Sequence, residues 1–171
     1  INDGDTHNSR TEQLEDKYPV LVESYKIRED SAGAGEFRGG LGAEMVVQAL
    51  SPFSVTTRID RMHCKPWGLE GGGEAAGNGI AIRHKGEWQH DLPNAKIFNV
   101  RLERGDAYKM LSGGGGGFGS PFKRDARKVA EDVREGYVSR EAAEKLYGVV
   151  LSEDFDVMQA ETDQLRAKAL G

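Results

Sequence analysis

The stretch MLSGGGGGFGSPF, Met110 to Phe122, contains five consecutive glycines, and its conformation decides how the rest of the chain is interpreted. A glycine run can be a flexible tether, since glycine-rich linkers behave as coils. It can also be a turn at which bare backbone is approached closely. The tract is short, is bounded by Phe118 and Phe122, and joins a predicted strand to a predicted helix. We therefore expect an ordered crossing turn that a substrate, a phosphoryl group or a neighbouring subunit can approach.

Successive glycine N–H groups ahead of a helix can form a concavity that binds anions. The substrate- or phosphate-proximal candidates in the tract are Gly113, Gly114, Gly115, Gly116 and Gly117. The tract is not a Walker loop, because Ser120 and Pro121 follow it where that motif has Lys and then Ser or Thr. The sequence thus contains no specific nucleotide-binding fingerprint.

Of the 23 glycines in the 171 residues, 17 gather in three places, at 33–42, 68–79 and 113–119. Between them lie alternating, β-branched stretches that predict strands. The predicted strands are Tyr18–Arg28, Ala43–Leu50, Phe53–His63, a hairpin turning at Lys85-Gly86, and a pair turning at Arg104-Gly105-Asp106. About seven short, evenly spaced strands are typical of a barrel or a sandwich.

After Pro121 the hydrophobic period changes to that of helices. Asp125 is a predicted N-cap, followed by apolar residues at i, i+3, i+4 and i+7, and Gly136 is the predicted end of that helix. Ser139 and Gly148 bound a second predicted helix. We also predict short helices at Thr11–Lys17 and Asp156–Leu170, with a brief strand or docking segment at 149–151.

The sequence therefore predicts an α+β fold, with a β-rich barrel- or sandwich-like body, a helical hairpin and a terminal helix. The expected divisions are a polar lead-in at 1–17 that continues an absent upstream region, a β-rich domain at 18–122, the hairpin with its short strand at 123–151, and a tail helix at 152–171.

Charge and composition exclude several classes of partner. The formal net charge is −5 and the basic residues are scattered, which argues against nucleic acid. No apolar run approaches the ~18 residues that a membrane span needs. The single cysteine, Cys64, cannot form an internal disulfide, which fits a reducing cytoplasm and also a secreted chain without disulfides. Of the two, we expect a cytoplasmic protein.

Charged and titratable residues concentrate at the end of the third predicted strand: Arg58, Asp60, Arg61 and His63. If the strand persists, the first two share one face and the last two share the other. The alternative is a surface ion pair worth about 0–1 kcal/mol. His63 and Cys64 are a poor catalytic pair, since neighbours in a strand point apart. No histidine spacing predicts a metal site.

Three motifs in order carry a resemblance to a known family: KYPVLVESYKIREDSAGAGEFRGGLG, then KPWGLEGG, then GGGGGFGSPFKRDARKVAEDVREGYVSREAAEKLYGVVL. Together with HNSRTEQLEDKYPV they resemble the C-terminal third of the hydantoinase B/oxoprolinase family over about residues 5–151. That family includes the large subunits of acetone and acetophenone carboxylases.

The resemblance implies an ATP-dependent enzyme in which a hydantoinase A-like partner subunit holds ATP with Mg²⁺. Phosphorylation would activate the oxygen of a lactam or an enolate, and the B-type subunit would help to hydrolyse the ring amide or to carboxylate the ketone. A divalent metal belongs to the upstream part of the family's B-type subunit, to which nothing here corresponds. The alternative is a non-catalytic β-rich assembly module of such a complex.

Overall fold

A computed structural model describes residues 10–90, 92 and 95–170, with the side chains of the last two excepted. The part of the polar lead-in at residues 1–9 lies outside the described residues. The elements in chain order are α1 (Thr11–Lys17), β1 (Val20–Ile27), β2 (Ala43–Ala49), β3 (Phe53–Arg58), β4 (Gly79–His84), β5 (Glu87–Gln89), β6 (Lys96–Leu102), β7 (Ala107–Leu111), a 3-10 turn (Pro121–Lys123), α2 (Ala126–Arg134), α3 (Arg140–Tyr147) and α4 (Gln159–Leu170).

Within the described ranges, the seven strands form two antiparallel sheets. The larger sheet has the order β1-β2-β7-β4-β5, and β3 pairs with β6 in the smaller one. The α+β class and the strand number predicted from the sequence are confirmed. Of the two predicted architectures, the closed barrel is wrong, because β3 and β6 pair with each other and leave the larger sheet open.

The smaller sheet covers part of one face of the larger sheet. The core between them is made of alternate, inward-facing residues of both sheets, as in a sandwich. Its buried members are Ala49, Ile80, Ile82, Leu92, Ala95, Ile97 and Leu102. The other face of the larger sheet carries ion pairs between neighbouring strands, such as Lys26 and Lys109 with Glu44.

The helical hairpin forms a second apolar core beside the glycine-rich segments. Asp125 accepts a hydrogen bond from Arg127 N at 2.9 Å, and Ser139 accepts one from Ala142 N at 3.1 Å, so both predicted N-caps are confirmed. The core contains Ala34, Val129, Val133, Val138, Ala143, Tyr147 and Val149. Gly148 ends α3 with φ at 62°, where a side chain would be strained.

The C-terminal helix α4 is three residues shorter at its start than predicted. Ahead of it, Leu151 and Val157 form an isolated β-bridge, which matches the predicted docking segment. The domain divisions themselves remain a prediction. No helix in the described part of the chain is long and apolar enough to cross a membrane.

Candidate functional site

A cavity of about 590 Å³ lies where the smaller sheet stops covering the larger one. Its floor is formed by three strands, because Tyr25 pairs with Met45 across β1 and β2, and Met45 pairs with Met110 across β2 and β7. Leu14 of α1 and Ile59 after β3 complete the apolar walls. A cavity of this size with a mainly apolar lining matches the usual character of ligand sites.

Two of the residues predicted from the sequence lie at the rim of this cavity. Arg58 ends β3, and Asp60 follows it in the loop. The Asp60 carboxylate pairs with Lys96 Nζ at 3.0 Å, and this hydrogen bond and charge hold the pKa of Asp60 below its usual value. Arg58 is exposed and forms no ion pair with any residue that the structure describes.

Asp60 is therefore a charged anchor and a weak proton acceptor, since a lowered pKa reduces the strength of a general base. Arg58, in contrast, forms no salt bridge among the described residues, although its charge lies close enough to Asp60 to help lower the pKa of that carboxyl. Its guanidinium is suited to a carboxylate or a phosphoryl group at the cavity mouth, because it can donate two parallel hydrogen bonds.

The other two candidates from that stretch, Arg61 and His63, do not line the cavity. The prediction that the strand continues to His63 is wrong, because β3 ends at Arg58. Arg61 adopts a left-handed backbone conformation with φ at 56°, which turns the chain out of the strand direction. These residues therefore do not occupy the two faces of one strand. Cys64 is exposed beside them.

Asn78 joins the cavity rim to the glycine tract, and sequence reasoning missed it. Its Nδ2 donates to Asp60 O at 2.8 Å, while its Oδ1 accepts from Gly113 N at 2.5 Å. Its own backbone N donates to Arg61 O at 3.2 Å. One amide side chain thus fixes the loop after β3 against the start of Gly113–Gly117.

The glycine tract crosses between two other glycine-rich loops and is hydrogen-bonded to both. Gly115 N donates to Gly40 O, and Gly115 O accepts from Gly33 N, both at 2.9 Å. Gly117 N donates to Gly73 O at 3.0 Å, and Gly114 N donates to Ala76 O at 3.2 Å. The tract is an ordered crossing segment between the loops and not a loose tether.

Glycine is required in this tract because a side chain would clash with neighbouring loops, and not because the backbone torsion angles are unusual. None of Gly113–Gly117 has a positive φ. A Cβ atom built on Gly114, Gly116 or Gly117 would instead overlap a carbonyl oxygen of a neighbouring loop. Because four of the five amides already donate within the fold, these contacts favour a packing role. A substrate- or phosphate-proximal role for the tract stays a prediction.

No group of three or more His, Cys, Asp or Glu side chains able to hold a metal ion occurs among residues 10–90, 92 and 95–170. The residues described at the cavity do not fit a metal site either, because Asp60 is its one carboxylate.

The chain belongs to the Hydantoinase B/oxoprolinase family, whose model matches residues 1–121. This confirms the resemblance carried by the three motifs. The chain is 28% identical over 161 residues to a putative D-/L-hydantoinase B subunit of Pseudomonas sp., and the match covers 94% of this chain and 27% of the relative. It is 31% identical over 166 residues to the beta subunit of caprolactamase from Pseudomonas jessenii, covering 91% and 27% respectively.

Two solved structures are also similar to this chain. The crystal structure of ATP-dependent caprolactamase from Pseudomonas jessenii matches 92% of this chain and 28% of the solved chain, with a TM-score of 0.78 and 28% identity. The nucleotide-free structure of acetone carboxylase matches 95% and 26%, with a TM-score of 0.78 and 25% identity. The chain thus spans about a quarter of the length of these two relatives and of these two solved chains.

Proposed function

We propose that this chain forms the C-terminal part of the B-type subunit of an ATP-dependent cyclic-amide hydrolase or of a related ATP-dependent ketone carboxylase. The observation that carries the proposal is the family match over residues 1–121, joined to the overlay on both an ATP-dependent caprolactamase and an acetone carboxylase. In this proposal ATP with Mg²⁺ is held by a hydantoinase A-like partner subunit. A small lactam or ketone is the substrate. The complex is cytoplasmic and binds neither nucleic acid nor a membrane.

The rest of the B-type subunit supplies the metal-binding residues that the cavity lacks. The family resemblance implies a divalent metal in that remaining part, and the described residues hold no metal-binding cluster. This chain contributes an apolar wall from Tyr25, Met45 and Met110, with Arg58 at the mouth. Arg58 would orient an anionic group, such as a phosphorylated substrate oxygen, because arginine binds phosphate oxygens in a bidentate manner.

The test uses the chain assembled with the partner subunit and with the rest of the B-type subunit. ATP hydrolysis is measured with a lactam alone and with a ketone plus bicarbonate, and dependence on one or the other assigns the reaction class. Arg58→Ala is expected to lower kcat/KM by about tenfold or more, since a lost charge-assisted hydrogen bond costs about 1.5–3 kcal/mol. Arg134→Ala, which removes an exposed arginine from α2, is the matched control and should leave turnover unchanged.

A second candidate function is a non-catalytic assembly module of such a complex. The engaged amides of Gly113–Gly117 favour it, because they are committed to packing within the fold. If Arg58→Ala leaves turnover unchanged while omission of the chain abolishes assembly, the module is the correct function and the catalytic contribution is excluded.

A further inference from the structure

Four large apolar side chains lie exposed together on the outer surface of the glycine-rich loops. They are Phe37, Trp67, Leu69 and Phe118, with exposed fractions of 64%, 69%, 58% and 47%. We call this set the apolar cap. Each of the three glycine-rich loops contributes at least one member of it.

The backbone holds the apolar cap in a fixed arrangement. Phe37 and Phe118 exchange two backbone hydrogen bonds of 3.0 Å, and their ring centroids are 6.3 Å apart. Leu69 forms a parallel bridge with Phe118, and its N donates to Gly117 O at 2.9 Å. The carbonyl of Trp67 lies directly against Gly116. The four side chains are therefore presented from one ordered backbone layer.

Beneath these side chains, backbone packs tightly against backbone. A Cβ atom on Gly35 would lie 2.7 Å from the backbone N and O of Phe118, and one on Gly72 would overlap the carbonyl of Gly117. The exposed fractions of Phe37 and Leu69 place both side chains on the solvent side of this backbone layer. Contiguous exposed apolar groups on an ordered scaffold mark an interaction site, and the prior order lowers the entropy cost of binding.

We propose that the apolar cap is the surface on which the rest of the family's B-type subunit docks. This occupant is chosen because the matched relatives are far longer than this chain, which accounts for 27% of the hydantoinase relative and 28% of the solved caprolactamase chain. Most of each relative's polypeptide is therefore available to cover the cap. The identity of the occupant rests on the proposed function, whereas the docking surface itself is inferred from exposure and backbone order alone.

The chain provides its own probe of docking. It has two tryptophans, and Trp88→Phe leaves Trp67, a member of the apolar cap, as the single tryptophan reporter. The Trp88→Phe chain is mixed with the B-type polypeptide from the same source that lacks the region matched by this chain. Docking is expected to shift the Trp67 emission to shorter wavelength and to reduce its quenching by acrylamide severalfold.

Substitutions then locate the contact. Phe37→Ser together with Leu69→Ser should weaken binding by about tenfold or more, as expected for truncated apolar residues at an interface centre. Phe98→Ser is the matched control, because Phe98 is 85% exposed on β6, away from the glycine-rich loops, and should leave affinity unchanged. All these side chains are exposed, so the melting temperature should stay close to that of the parent chain.

Two results would overturn the proposal: Trp67 as accessible in the mixture as in the free chain, or Trp67 already protected in the chain alone through self-association. Equal weakening by Phe98→Ser would also overturn it. Docking is measured without ATP or substrate, so a complex that binds through the cap and lacks turnover would refute the proposed function and leave the docking surface intact.

Discussion

The backbone of Gly116 lies directly against the carbonyl oxygen of Trp67, with no space for a Cβ atom between them. Gly115, one residue earlier, has more room, since a Cβ atom there would lie 3.1 Å from Gly40 N. We therefore expect Gly116→Ala to lower the free energy of unfolding by about 3 kcal/mol or more, because the loops must separate, and Gly115→Ala by about 1 kcal/mol.

Gly40→Ala is the control for this pair, because a Cβ at Gly40 meets nothing within 4 Å and its φ is not positive. Its effect on stability should stay within about 0.5 kcal/mol. The three variants are compared by urea unfolding at one pH. Equal losses for Gly116→Ala and Gly40→Ala would show that the loops do not pack as described.

The glycine tract shows what could be predicted of this fold from sequence and what could not. Its short length and flanking Phe118 and Phe122 predicted an ordered crossing, and the helix caps Asp125 and Ser139 were predicted correctly. The loops that it crosses could not be identified, because glycine carries no pattern that selects a partner and the contacts are between backbones. For a similar reason the sequence did not decide between a barrel and a sandwich, because strand pairing depends on contacts between residues that are far apart in the chain.

The carboxylate of Asp132 is shared by two arginines. Its Oδ2 accepts from Arg38 Nε at 3.1 Å and from Arg124 Nη2 at 2.8 Å, and all three side chains are largely buried. Removing the charge leaves two guanidiniums crowded in a poorly solvated region. Asp132→Asn should therefore cost about 3–5 kcal/mol of unfolding free energy.

Glu141→Gln is the matched control for Asp132→Asn, because it makes the same change of charge in an exposed pair with Lys145 at 2.5 Å. Exposed pairs on a helix contribute little, so the loss should be about 0.5 kcal/mol or less. Chemical denaturation of both variants measures the difference. A loss at Asp132 no larger than that at Glu141 would contradict a structural role for the buried cluster.

Asp106 makes the stability of the two turns that it joins depend on pH. Its burial opposes ionisation, but hydrogen bonds from Glu103 N at 3.0 Å, His84 Nδ1 at 2.9 Å and Lys85 N at 3.1 Å hold its pKa below the ordinary value of 3.8. As pH falls, Asp106 is therefore protonated at a higher pH in the unfolded chain than in the folded chain. The stabilisation from the ionised group is fully present above about pH 4 and is lost as pH falls through the folded-state pKa.

We expect Asp106→Asn to be less stable than the parent chain at pH 7, and the difference to shrink as pH falls below about 4. Glu103→Gln removes a neighbouring exposed carboxylate and should not change the slope of stability with pH as strongly. The free energy of unfolding is measured from pH 7 to pH 3. A difference that stays constant over this range would exclude Asp106 as the titrating group.

The candidate site was predicted only in part, and for a physical reason. Arg58 and Asp60 were found because charged residues at a strand end are visible in sequence, but Arg61 and His63 were grouped with them on the assumption of a continuing strand. The left-handed turn at Arg61 breaks that alternation. Asn78 escaped notice because its role depends on a contact 35 residues away, with Gly113.

Arg166 fixes α4 to the helical hairpin through two backbone carbonyls. Its Nε donates to Tyr147 O at 3.1 Å and its Nη2 donates to Arg124 O at 2.8 Å, while burial lowers the pKa of the guanidinium. Arg166→Ala leaves both carbonyls without this donor. We expect a loss of about 1–3 kcal/mol, confined largely to α4, because hydrogen bonds to charged groups fall in that range.

Hydrogen exchange at residues 159–168 measures this effect, with exchange in α2 and α3 as the internal reference. Arg166→Lys should not restore protection, since a single ammonium cannot reproduce the two directed contacts of the guanidinium. Lys168→Ala, a change at an exposed position in the same helix, should leave exchange unchanged. Full protection of α4 in Arg166→Ala would mean that its other contacts, such as the hydrogen bond from Val150 N to Thr162 Oγ1, hold the helix without the two carbonyl contacts of Arg166.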